Sequence, residues 1–327
     1  MQPKLLTKQR DHDRARASRD ELTARIARHV AEDGSLEAAP GLFLYRFSSP
    51  TGPRYGVNEP SFCVIAQGSK EVLLGKERYR YDADQYLLVS VGLPVVSHVI
   101  EASHERPYLA VRLVLEPAVV TSVLIEAGLL AAGVDGGVKA LAVSRLDASL
   151  LDAMVRLVRL LDAPSDYAVL GPLVAREIVY RLLLGEQGGR LRQIAVIDGR
   201  AHRIARAIDL LRTNHGKALG IAGLARQLGM SPSGFYHQFK AATGMSPLQF
   251  QKRLRLQEAR RLLLGGDVDA ATAGYRVGYD DASHFSREYR RLFGEPPLRD
   301  VARLRGAATS RRQPAASAWI LGVRGGA

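Results

Sequence analysis

The chain has 327 residues, of which 46% are hydrophobic, with a single cysteine and a formal net charge of +13. One thiol excludes an internal disulfide framework and a thiolate-rich zinc site, and no run of about 18 apolar residues offers a membrane span. The opening stretch MQPKLLTKQRDHDRARASRDEL is charged and lacks the apolar centre of a secretory signal, so a cytoplasmic protein without a membrane partner is expected.

The excess charge is localised. Residues 1–190 hold 23 Lys/Arg and 23 Asp/Glu, whereas residues 191–327 hold 23 and 10. A merely solubilising surface would spread the imbalance along the chain. Concentrated in one segment, it fits a partner made of phosphates.

In chain order, residues 18–33 read as a short helix that stops at Gly34. From Gly41 to about Leu115 the texture is that of short strands: LFLYRF, FCVIAQ, KEVLLG, ERYRY, QYLLVSV, VVSHVI and YLAVRLVL. Turn formers such as Thr51-Gly52-Pro53, Gly75-Lys76 and Asp82-Ala83-Asp84 separate them, which predicts an antiparallel sandwich or barrel. After Pro117 the period becomes helical. Asp147 is placed to cap a helix lining up Leu150, Met154, Leu157 and Leu161, with Leu151, Val155 and Val158 beside them. This wide apolar face suits either the sandwich or a dimer seam. A further helix is predicted over 170–184, and Glu186-Gln187-Gly188-Gly189 reads as a hinge.

From about residue 200 the chain is helical and repeats one pattern. In LARQLGMSPSGFYHQF, Leu224, Ala225 and Leu228 form a small apolar face, Gly229 turns the chain, and Ser231 with Pro232 starts a second helix. On that helix Phe235 and Phe239 stand four apart and face inward, leaving Ser233, Tyr236 and His237 outward as candidates for base edges. Ser231 and Lys240 suit phosphate contacts. AGYRVGYDDASHFSREY repeats this order. Val277, Phe285 and Tyr289 are its core, Gly278 its turn, and Asp280 or Asp281 its cap. Ala282, Ser283, Ser286 and Arg287 face outward, and Arg287 can make a bidentate contact to guanine. This is the order of a helix-turn-helix written twice, whose second helix enters the major groove.

A long helix from Pro247 to Leu264 joins the two units and carries Lys252, Arg253, Arg255, Arg260 and Arg261. Lys252 and Arg253, with Arg290 beyond it, are read as phosphate contacts, against the alternative of intrahelical pairing with Glu258. The recognition helices start at Ser231 and Asp281, and a rigid rod between them can set them about one DNA turn apart, roughly 34 Å.

The phrases LARQLGMSPSGFYHQFKAATGMSPLQFQKRLRLQEARRLLL and VGYDDASHFSREYRRLFGEPP resemble the DNA-binding domain of AraC/XylS-type transcription regulators. That resemblance implies two helical units on adjacent major grooves of one DNA face. Ala270, Ala273 and Gly274 depart from the family pattern, which predicts a less well packed first helix in the second unit. EPSFCVIAQGSKEVLLG and YRYDADQYLLVSVGLPVVSHVIEAS resemble one subgroup whose front domain is a cupin-like sensing or dimerisation module.

The expected fold is therefore α+β. It comprises an N-terminal helical arm (1–40), a cupin-like β-sandwich or barrel with trailing helices (41–190), an all-α domain with two helix-turn-helix units (198–305) and a flexible tail (306–327). The expected partners are double-stranded promoter DNA, an unidentified small-molecule effector, RNA polymerase and a second copy of the chain. No cofactor is expected. Metal-binding cupins use closely spaced histidines, whereas His98 and His104, with Glu101 between, stand six apart without a second cluster, so no metal is assigned. Cys63 lies in an apolar strand, where an inert thiol is usual and a reactive sensor is the alternative. No nucleophile–base–acid set and no phosphate-binding loop is visible, so the chain is read as no enzyme. A non-specific architectural DNA binder and a cupin enzyme tethered to DNA are the competing readings.

Overall fold

The computed structural model describes residues 2–129, 139–195, 200–214, 220–266 and 268–309. Trp319 and most of the tail lie outside them. The first helix, α1 (Gln2–His29), is followed by nine strands. These are β1 (Gly34–Ala39), β2 (Leu42–Phe47), β3 (Arg54–Asn58), β4 (Ser61–Gln67), β5 (Ser69–Leu74), β6 (Glu77–Asp82), β7 (Gln85–Val89), β8 (Leu93–Glu101) and β9 (Tyr108–Val114). After α2 (Pro117–Glu126), β10 (Leu141–Arg145) completes two antiparallel sheets, ordered β1-β2-β9-β4-β7-β10 and β3-β8-β5-β6. The sandwich expected from the strand texture is present.

Alternation along the strands explains why several read as continuously apolar. In β2, Leu42 and Leu44 face a layer of helices, while Phe43, Tyr45 and Phe47 face the sandwich interior. Phe62 and Val64 of β4 join the first set, and Cys63 and Ile65 the second. A sheet covered on both faces must be apolar at every position, not every other one. The outer layer consists of α1, α3 (Ala148–Arg159) and α4 (Pro164–Leu184) with α2 and α5 (Gly188–Ala195).

Three expectations change here. The first helix runs from Gln2, not residue 18, because its apolar stripe begins only at Leu22 and periodicity cannot reveal the polar turns before it. Residues 34–39 are an edge strand instead of part of an arm. GSLEAA has little strand propensity and is held by its pairing with β2. The apolar face of α3 is core: Asp147 caps the helix by accepting from the amides of Ser149 (2.8 Å) and Leu150 (2.9 Å), and Leu150, Met154, Leu157 and Val158 are buried. The apolar face of α3 is therefore not free to form a dimer seam. α4 instead starts at Pro164 and leaves Val169, Leu170, Leu173, Tyr180 and Leu184 exposed.

The second domain contains α6 (Arg200–Thr213), α7 (Ile221–Gln227), α8 (Pro232–Thr243), α9 (Pro247–Gly265), α10 (Ala270–Arg276), α11 (Ala282–Phe293) and α12 (Pro297–Thr309). The last helix extends into the segment expected to be tail. One apolar cluster runs from the sandwich interior through Ile204, Ile208 and Leu211 of α6 to Phe235 and Phe239 of α8. A separate cluster, around Phe285, Tyr289 and Phe293, forms the core of the second unit.

Within the second unit Arg260 donates two bonds of 2.7 Å to Asp300, which is fully buried and also accepts from the Tyr289 hydroxyl at 2.9 Å. A buried carboxylate is tolerable only because these donors, with the Arg303 guanidinium at 2.6 Å, replace its water. Asp300→Ala leaves Arg260 and the Tyr289 hydroxyl without this acceptor. It is expected to destabilise the domain by about 3–5 kcal/mol, read as a lowered urea midpoint at unchanged slope.

Candidate nucleic-acid interface

The two units are built alike. In the first, Leu224, Ala225 and Leu228 are buried, and Gly229 (φ +64°) makes the left-handed turn that ends α7. Ser231 Oγ accepts from the amide of Gly234 at 3.2 Å, with Pro232 at the first helical position. A Cβ at Gly234 would stand 2.9 Å from that oxygen, so a larger residue would require the Ser231 side chain to shift. Phe235, Phe239 and Phe250 form a buried aromatic row, with centroids 5.5 Å and 5.1 Å apart. In the second unit Gly278 (φ +84°) makes the equivalent turn. Asp281, not Asp280, caps α11 by accepting from the amide of His284. Val277, Phe285, Tyr289 and Phe293 are buried. The aromatic side chains of Phe235, Phe239, Phe285, Tyr289 and Phe293 thus point away from solvent.

Gly274 corrects the packing expectation. A Cβ there would lie 3.0 Å from the Phe285 ring, so α10 approaches α11 through the missing side chain, and Ala273 beside it is fully buried. The small residues make a close crossing, not a loose one.

Burying one face of each recognition helix leaves the other to solvent. Ser231, Ser233, Tyr236, His237 and Lys240 are exposed along α8. On α11, Ser283, Arg287 and Arg290 are exposed, while Ala282 and Ser286 are half-buried. Lys240, Arg287 and Arg290 make no ion pair among the described residues, so their charges face solvent. His284 also lies exposed at the start of α11, edge-on to Tyr279 at 5.6 Å.

The joining helix α9 behaves differently from the expectation. Lys252 is paired with Glu288 of α11, and Arg253 is half-buried beside Tyr55, where burial lowers its pKa. Arg255 donates to the Gly278 carbonyl at 3.2 Å, and Arg261 pairs with Glu258. Of the two residues on α9 read as phosphate contacts, Lys252 is thus exposed but ion-paired and Arg253 half-buried, because α9 packs against the sandwich and the second unit. With 19 residues, α9 is about 28 Å long, on the scale of one DNA turn.

The sandwich interior holds an unexpected polar group. Arg112 of β9 donates to the Tyr45 hydroxyl at 2.9 Å, and its guanidinium lies 4.2 Å from the Phe43 ring centroid. Lys70 of β5 is buried nearby; burial, with the Arg112 and Arg54 charges, pushes its pKa down to about 8. Burial raises Tyr45 to about 12 and pushes Tyr81 and Tyr108 up as well. Cys63 lies among them, its thiol also raised by burial. Sequence alternation does signal Arg112 as inward, but without the fold an arginine between apolar residues reads as solvent-facing. His98 pairs with Glu71 at 3.4 Å and Glu101 with Arg80 at 2.8 Å, and His104 is exposed on the β8–β9 loop. Among the described residues no cluster of three or more His, Cys, Asp or Glu side chains could hold a metal ion.

A β-sandwich followed by two tandem helix-turn-helix units with open reading faces defines a two-domain DNA-binding protein. The family model for the AraC-type transcriptional regulator N-terminus matches residues 38–190, and a helix-turn-helix domain model matches residues 224–303. The chain belongs to the AraC-type transcriptional regulators. It is 32% identical over 167 residues to the HTH-type transcriptional activator RhaS of Salmonella agona (strain SL483), covering 50% of this chain and 58% of that protein. RhaS of Pectobacterium atrosepticum is 36% identical over 87 residues, 27% of this chain and 31% of that one. The chain thus spans less than two thirds of these relatives. ToxT from Vibrio cholerae shares the fold, with a TM-score of 0.53 at 12% identity over 80% of this chain and 97% of ToxT. Among the described residues no helix is long and apolar enough to cross a membrane.

Cys63 is 8% exposed, and its raised pKa keeps it protonated near neutrality. Native protein at pH 8 is expected to resist iodoacetamide while the urea-unfolded chain is alkylated. Equally fast labelling of both forms identifies a reactive thiol.

Proposed function

We propose that this chain is a sequence-specific transcription regulator that reads two adjacent major-groove segments of promoter DNA. The observation that carries the reading is the pair of recognition helices, each capped and anchored by inward aromatics, each presenting an exposed polar face. They lie in the part of the chain that holds the whole charge excess. Ser233, Tyr236 and His237 face one set of base pairs; Ser283, Ser286 and Arg287, with Ala282, face the other. Ser231, Lys240 and Arg290 flank them toward phosphate.

Footprinting on genomic fragments selected by the full chain is expected to show a discrete protected site; uniform coverage identifies an architectural binder instead. Arg287→Ala is expected to cost about 1–3 kcal/mol at one base pair and to relax preference there. An unaltered preference removes Arg287 from base reading.

The front domain serves sensing and self-association. The exposed residues Val169, Leu173, Tyr180 and Leu184 recur at helical spacing along α4 and suit a second copy of the chain. RNA polymerase is the further partner such a regulator engages. The Arg112–Lys70 interior favours an anionic effector. Benzoate is expected to raise the melting temperature saturably and benzamide not, the difference vanishing in Arg112→Met. Equal shifts with both compounds exclude a charge-selective interior.

A further inference from the structure

The sandwich holds the two DNA-reading units in different ways. The first is continuous with it. Its aromatic core belongs to the same apolar cluster as the sandwich interior, and the amide of Ala140 donates to the Ala242 carbonyl at 3.1 Å. Two glycines let backbones meet there: a Cβ at Gly75 would stand 2.7 Å from the Gly244 carbonyl oxygen.

The second unit has its own core, and among the described residues Tyr55 is the one sandwich side chain packed into it. Tyr55 stands on β3, an edge strand of the smaller sheet. Its hydroxyl donates to the Leu292 carbonyl at 3.1 Å, and its ring meets Phe293 edge-on at 4.8 Å. The Arg260 guanidinium covers both rings, 5.2 Å from Tyr55 and 4.4 Å from Phe293, while Asp300 fixes it. Next along the strand, the Gly56 carbonyl accepts from Gln257 of α9 at 3.4 Å. Leu292 and Phe293 end α11; Ser283 and Arg287 lie in its first half.

We propose that Tyr55 is a positioning residue for the second recognition helix, setting the direction of α11 relative to α8 from within the front domain. The contact grips the end of α11 away from the base-reading residues, and those residues stay exposed. It therefore orients the helix without covering it. Movement of β3 changes the angle at which α11 meets DNA, whereas α8 stays fused to the sandwich. This gives the front domain a route to one half of the operator at a time.

The proposal rests on α11 reading DNA, and the experiment separates the two. Full-length protein is footprinted on its selected operator, with the α11 half-site marked as the half containing the base pair at which preference relaxes in Arg287→Ala. Absence of any discrete wild-type site removes the DNA reading itself. Given such a site, Tyr55→Ala is expected to weaken protection of the α11 half-site about tenfold while the α8 half-site is retained. Tyr55→Phe, which keeps the ring beneath Arg260, is expected to recover most of it. Tyr55→Leu replaces Tyr55→Ala if the latter fails to accumulate as folded protein. Unchanged protection, an equal loss at both half-sites, or tighter binding overturns the proposal. The last two outcomes mark a purely structural and an inhibitory contact, respectively.

Discussion

A helix that reads DNA must bury one face completely so that it can offer the other without shifting. Phe235 and Phe239 in α8, and Phe285, Tyr289 and Phe293 in α11, meet that constraint. The aromatic rings fill space that small residues leave open: Ala225 and Ala273 are fully buried, and Gly274 lets the Phe285 ring approach within van der Waals contact. Both caps, Ser231 and Asp281, then fix where each helix begins and which side chains point outward.

The same constraint explains the distribution of charge. A cation left on an exposed helix face keeps its hydration, and Lys240, Arg287 and Arg290 are such cations. A cation drawn toward the protein interior must find an anion or a carbonyl. Arg260 takes Asp300 and Arg255 the Gly278 carbonyl, while Lys252, still exposed, pairs with Glu288 at the surface. The joining helix thus engages most of its basic residues with carboxylates and a carbonyl of its own domain. The net +13 describes the whole segment, but its action on a partner belongs to the fraction that remains unpaired.

Coupling between front and rear domains follows from how unevenly they are joined. The first unit shares an apolar core with the sandwich, in which Arg112, Lys70 and three tyrosines lie; the second meets it through Tyr55 beneath Arg260. A broad apolar contact resists rotation, whereas one ring and two hydrogen bonds resist it less. The polar interior is costly for a β-sandwich to maintain, since each buried cation loses its water.

Local chemistry made the reading units legible in the chain. Glycine at a left-handed turn, a hydroxyl or carboxylate before a helix, and aromatics four apart act over a few residues, so no distant contact is needed to recognise them. The sandwich was legible as strand texture, but β1, β3 and β10 were not. GSLEAA, RYGVN and LAVSR are too short or too weakly apolar to announce themselves, and pairing partners alone hold them extended. Tertiary structure decided which arginines stay free, that α3 is core while α4 is exposed, and that Tyr55 reaches Leu292 across 237 positions of sequence. Each of these depends on which surfaces meet, a property that no window of neighbouring residues contains.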